Sequence, residues 1–157
     1  MGLDMYLSAE RHYLDKEWVK DDEARAIHGK VLNAIQADNF ICKDNLGTIN
    51  VEVEVAYWRK ANAIHAWFIR ECSGGVDDCR PVYVPREKLT QLLGLCYQVK
   101  SAPELAPELL PSQEGFFFGS TEYDEWYFND IDDTIQQLSN VLENTPDGWR
   151  FNYCASW

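Results

Sequence analysis

No apolar run in this chain approaches the roughly 18 residues of a membrane-spanning helix. Positive charge is scarce: 14 Lys and Arg stand against 26 Asp and Glu, a formal charge of −12. Direct nucleic-acid binding is disfavoured on that count, because neutralising phosphates needs a cationic footprint. Cysteine occurs five times, an odd number, and no pair has the C-x-x-C spacing. Nothing at Met1-Gly2-Leu3-Asp4 reads as a secretory leader, so reduced thiols in a cytoplasm are the economical expectation. There is no H-E-x-x-H, and no Lys follows a glycine-rich loop as a P-loop requires. Internal repeats and low-complexity tracts are missing as well. These absences lead us to expect a soluble cytoplasmic protein with no metal, no cofactor and no membrane partner.

What the chain does have is aromatic weight. Six Trp, eight Tyr and seven Phe make up 13% of 157 residues, which rules out a largely disordered chain. That load exceeds what the core of one domain needs. Some rings are therefore expected to line a surface or a pocket, and the surplus favours a homodimer.

Leu3, Met5 and Leu7 alternate with Asp4, Tyr6 and Ser8, the period of a half-buried strand. From Asp15 to Gln36 apolar residues recur at helical spacing, although Lys20-Asp21-Asp22-Glu23 breaks the first half. The turn residues Asp44-Asn45-Leu46-Gly47 lead to a strand in which Ile49, Val51, Val53 and Val55 alternate with Asn50, Glu52 and Glu54. Tyr57 to Phe68 reads as a helix that buries Tyr57, Ala61, Ile64 and Phe68, with Trp58, Asn62, His65 and Ile69 along its flank. Ser73-Gly74-Gly75 ends it. Val82-Tyr83-Val84 is a short strand, and Pro85 opens a helix with Leu89, Leu92, Leu93 and Cys96 inward. The proline-punctuated stretch Ser101 to Ser112 reads as a packed loop. Phe116-Phe117-Phe118 reads as a buried strand running into a helix, with Thr121 and Asp124 in the T-x-x-D relation of a capping box. That helix extends to about Glu143, and Trp149 to Trp157 alternates as a last strand. The expected fold is a single α+β domain over residues 1–157: a mostly antiparallel sheet of about five strands, with about four helices on one face.

Chemistry has few places to live. Gly119-Ser120-Thr121, where a strand should meet a helix N-terminus, has the backbone of an anion site. The acidic residues Glu122, Asp124 and Glu125 that follow repel a phosphate and favour simple capping. Arg59, Lys60, Asn62 and His65 form the one compact basic and polar set, able to grip an anion, read a base edge and shuttle a proton. Surface pairing of the cations is the plain alternative. His12, His28 and His65 lack the spacing of metal ligands with Cys79, Asp77 or Asp78, and Cys79 beside Arg80 lacks a positioned base. The carboxylates Asp130, Asp132 and Asp133 read as a solvated helix face.

Gly2-Leu3-Asp4-Met5-Tyr6-Leu7, the run Tyr57 to Phe68, the long stretch Leu110 to Tyr127 and the closing Ser156-Trp157 resemble a family of small proteins encoded by tailed phages and prophages. The resemblance covers most of the chain, least so between Lys16 and Lys43. It implies a setting, a phage accessory protein in a host bacterial cytoplasm, and brings no catalytic residues with it.

Three readings follow. In the first the protein binds or sequesters a small anionic, nucleotide-like ligand and so counters a host defence signal. Trp58 or Tyr123 would stack on a base, Arg59 and Lys60 would meet phosphate, and Asn62, His65 and Ser120 would add polar contacts. In the second an acidic, aromatic surface inhibits a host nucleic-acid-binding protein. In the third an enzyme acts on nucleotides through His65 with Asp77 or Asp124. The first requires that the ring, amide and imidazole of Trp58, Asn62 and His65 border the same hollow as the turn at Gly119-Ser120.

Overall fold

The computed structural model of the protein describes residues 2–14, 20–37, 40–41, 47–116 and 118–157. Four strands are β1 (Asp4–Tyr13), β2 (Ile49–Arg59), β3 (Val82–Val84) and β4 (Arg150–Ser156). They form one open antiparallel sheet in the order β2-β1-β4-β3. The helices are α1 (Asp22–Ala34), α2 (Asn62–Cys72), α3 (Arg86–Ser101), the short α4 (Ala106–Leu109) and α5 (Glu125–Asn144), with a 3₁₀ turn at Pro103–Leu105. The class is α+β. Among the described residues there are four strands rather than five, and five helices rather than four. No helix of the described residues is long and apolar enough to cross a membrane.

The chain gathers into two compact units, residues 1–9 with 53–157, and residues 10–52. In the smaller one, Asp21 caps α1 by accepting from the Ala24 N–H (2.9 Å), and Ala24, His28 and Leu32 are its buried positions. The His28 Nε2–H donates to the Gly47 carbonyl (2.8 Å). The expected helical stretch from Asp15 thus begins at Asp22; residues 15–19 lie outside the described ones.

In the larger unit alternation works as physics demands. Leu3, Met5, Leu7 and Ala9 are sealed, as are Phe151, Tyr153 and Ala155 of β4. On α3, Leu89, Leu92, Cys96 and Val99 are buried, and Ile131, Ile135, Leu138 and Val141 form the stripe of α5. Arg86 closes the far end of α5 by donating to the carbonyls of Leu142 (3.1 Å) and Thr145 (2.7 Å), which are orphans of the last turn.

Two expectations fail here. The segment Gly115 to Phe118 is not a strand: Gly115, Phe116 and Phe118 belong to none, Phe116 is 96% exposed, and Phe117 lies outside the described residues. The Phe118 N–H instead donates to the Gly115 carbonyl (3.1 Å), and a Cβ at 115 would fall 2.5 Å from the Phe118 ring. A glycine is required by that contact, which closes a turn where three apolar residues suggested a ladder. The helix expected from Tyr57 is the second failure. Strand β2 continues through Tyr57 and Trp58 to Arg59, and α2 starts at Asn62. Parity along β2 holds from Ile49 to Glu52 and reverses in the second half of the strand. Glu52 and Glu54 are exposed as expected, yet the buried residues Ala56 and Trp58 share their side of the strand, and Val53 is 46% exposed. As an edge strand, β2 passes from water to core along its length, so one face changes character midway.

Candidate functional site

The corner between β2 and α2 is built by two unusual residues. Lys60 sits in left-handed conformation at φ 61°, which costs a side-chain-bearing residue on the order of 1 kcal/mol. Its N–H donates to the Leu3 carbonyl (2.8 Å), fixing the end of β2 to the start of β1. Ala61 follows at φ −73°, ψ 70°, an inverse γ-turn closed by the Asn62 N–H donating to the Lys60 carbonyl (2.8 Å). The His65 N–H to Ala61 carbonyl bond (3.0 Å) then begins the helix ladder. No side chain caps α2, so the N–H groups of Ala63 and Ile64 lie outside that ladder. Both residues line a cavity of about 310 Å³ together with Arg59, Lys60, Gly119, Ser120, Glu122, Asp124, Trp126 and Asp130.

Asn62 ties the second wall of this cavity to the first. Its Nδ2 donates to the carbonyls of Ser120 (2.7 Å) and Phe118 (3.2 Å), and its Oδ1 accepts from the Gln113 N–H (3.1 Å). Gly119, at φ 88°, turns the chain between those two carbonyls. The Ser120 Oγ accepts from the Glu122 N–H (3.1 Å). Asp124 is the helix cap of α5, accepting from the N–H groups of Trp126 (3.0 Å) and Tyr127 (3.2 Å).

The charges of the cavity are segregated. Arg59 approaches Asp4 at 3.8 Å on the exposed side, while Lys60 has no acidic group within 4.0 Å among the described residues. The carboxylate of Asp130 lines the same cavity, half-buried and without a hydrogen-bond or ion-pair partner among the described residues. Burial first, then the neighbouring charges of Asp133 and Asp124, push it up from 3.8 to about 7. Below pH 4 the carboxyl is protonated folded and unfolded, and contributes nothing. Between 4 and 7 only the unfolded chain gives up its proton, so stability falls as pH rises, and above 7 the penalty is complete. After allowance for solvent screening at the cavity mouth it amounts to about 1–2 kcal/mol. Asp130→Asn should therefore stabilise the protein by about that much at pH 8 and hardly at all at pH 4. Urea denaturation at the two pH values measures this, and equal effects at both would remove Asp130 as the cause.

Of the residues that the sequence singles out, Arg59, Lys60, Asn62 and Ser120 line the cavity. Of the edge formed by Trp58, Asn62 and His65, only Asn62 shares a hollow with the glycine-serine turn. Trp58, His65 and Tyr123 are not in its lining. Trp58 is buried and donates its Nε1–H to Thr134 Oγ1 (2.9 Å). Tyr123 packs edge-on against Tyr127, and its hydroxyl accepts from the Ser112 N–H (3.2 Å). His65 is sealed between the Tyr153 hydroxyl at Nδ1 (2.8 Å) and the Asp77 carboxylate at Nε2 (3.0 Å). The His65–Asp77 pair that an enzyme would need is thus formed, but out of reach of the cavity. No protein-family model, curated protein or solved structure matches the chain. The site therefore has to be judged on its own chemistry.

That chemistry includes residues that sequence reasoning passed over. Trp126 is 77% exposed at the cavity, and Asp130 stands one turn further along α5. Their i, i+4 spacing places them side by side on the helix surface, a signal present in the sequence beside the buried stripe of Tyr127 and Ile131. No group of three or more potential metal ligands occurs among the described residues.

Proposed function

We propose that the protein binds a small anionic, nucleotide-like ligand in the cavity between α2 and α5, and holds it without turnover. The observation that carries this reading is the uncapped N-terminus of α2. That helix end lines the same hollow as the cation of Lys60, which has no carboxylate within 4.0 Å among the described residues. Backbone donors, the positive helix end and an ammonium together are what a phosphate requires. The exposed ring of Trp126 supplies a platform for a base. In the setting that the resemblance to phage-encoded proteins implies, a host cytoplasm, such a protein would withdraw a nucleotide signal of host defence. A second reading, an acidic protein that occupies a nucleic-acid-binding host partner, is favoured by the exposure of Phe116 on a chain of formal charge −12.

Lys60→Gly separates binding from folding. Glycine adopts φ 61° without strain, so the variant should be more stable than the parent by roughly 0.5–1 kcal/mol. It should also bind nucleoside monophosphates about tenfold more weakly, through loss of one charge-assisted contact. Calorimetric titration of both proteins with a panel of nucleoside monophosphates tests this. Absence of binding by the parent protein, or unchanged affinity in the variant, would remove the anion site.

A further inference from the structure

Provided that the cavity takes nucleotides at all, its second wall specifies which. Its two ends have opposite chemistry. On the side of the β2–α2 corner stand the cations Arg59 and Lys60, whose side chains only donate. The other side offers acceptors. Asp124 spends one oxygen on capping α5, Glu122 reaches the rim from an exposed position, and Asp130 is half-buried with both oxygens uncommitted among the described residues. A ligand that spans the cavity must therefore be acceptor-rich where it meets α2 and donor-rich where it meets α5.

Phosphate meets the first condition. For the second, the bases differ sharply. Guanine carries two adjacent donors on its Watson–Crick edge, N1–H and the exocyclic amino group, which match the two oxygens of one carboxylate. Adenine and cytosine place a ring-nitrogen acceptor beside their single amino donor, and uracil sets its N–H between two carbonyls. Each of these would set a lone pair against an ionised carboxylate, at a half-buried position where an unmatched polar pair is costly. The helix supplies the matching plane. Trp126 and Asp130 are neighbours on the surface of α5, so a base lying on the indole presents its edge one turn along, where the carboxylate stands. A volume of about 310 Å³ is at the small end of ligand cavities and suits a mononucleotide.

We propose that the cavity selects guanine mononucleotides, with the base against Trp126 and its N1–H and amino group on the carboxylate of Asp130. The test is calorimetric titration of the intact protein at pH 8 with GMP, AMP and XMP. GMP should bind at least tenfold more tightly than either of the others. Asp130→Asn should exchange the preference between GMP and XMP, because a carboxamide offers one acceptor and one donor, the complement of the xanthine N1–H and its neighbouring carbonyl. Thermal melting of the variant verifies that it is folded, and Trp126→Ala, at an exposed position, should weaken GMP by tenfold or more. GMP and AMP binding within threefold of each other, or a GMP to XMP ratio unmoved in Asp130→Asn, would overturn base selection and leave nucleotide binding standing. If no nucleotide binds the parent protein, both fall together.

Discussion

Asn62→Ala should destabilise the protein by about 3–4 kcal/mol and, at any temperature where the variant is still folded, abolish ligand binding. The size follows from what one side chain does. Asn62 is only 5% exposed and satisfies a backbone N–H at Gln113 and two carbonyls at Phe118 and Ser120. Truncation removes three hydrogen bonds worth about 1 kcal/mol each, and leaves part of that backbone buried without partners. It also releases the loop that forms one wall of the cavity, so folding and binding are lost through a common cause. Asn62→Asp is the sharper control. It preserves volume and the acceptor for Gln113, but turns a carboxylate oxygen toward the two carbonyls that Nδ2 now serves. We expect it to be at least as damaging as alanine. Urea denaturation of the three proteins decides the matter. Variants within 1 kcal/mol of the parent would mean that the loop is held by something other than this amide.

The same corner shows how far the residues alone could be read. Strands β1 and β4 and helices α3 and α5 were legible because each buries one regular stripe, and burial imposes its period on the choice of residues. The junction of β2 and α2 was not. Tyr57 and Ala61 fall at helical spacing from Ile64 and Phe68, so the helical pattern extends backwards into the strand. What stops it is Lys60 at positive φ, and a lysine in that conformation leaves no mark in the sequence, as glycine would. Three phenylalanines in a row suggested a buried strand, whereas one of them, Phe118, anchors a turn and Phe116 faces water. In the site, Arg59, Lys60, Asn62 and Ser120 were legible as polar residues at element boundaries, where backbone donors are free. Asp130 was hidden among the carboxylates of an acidic helix. Only the cavity beside it separates it from Asp132 and Asp133, which serve as surface charge.

His65→Ala is expected to be as damaging to stability as any change at the cavity, and to say the opposite about binding. The imidazole is completely buried and packs edge-on against Phe118 at 5.0 Å. The Asp77 carboxylate can only accept, so the proton sits on Nε2, and in the neutral ring Nδ1 accepts from the Tyr153 hydroxyl. Tyr153 in turn stacks on Phe68 at 4.0 Å, which joins β4 to α2. Alanine leaves a ring-sized void, a buried hydroxyl without its acceptor and one oxygen of the Asp77 carboxylate without its donor, together about 4 kcal/mol. For a chain of this length that lowers the melting temperature on the order of 10 °C. Tyr153→Phe removes only the hydroxyl and should cost about 1–2 kcal/mol, leaving the ring stack in place. Because His65 is outside the cavity lining, nucleotide affinity measured well below the lowered melting temperature should stay within about threefold of the parent, against the tenfold loss expected for Lys60→Gly. A His65→Ala protein that melts like the parent yet no longer binds would reverse the assignment. The imidazole would then be touching ligand, and the enzymatic reading through His65 and Asp77 would regain its footing.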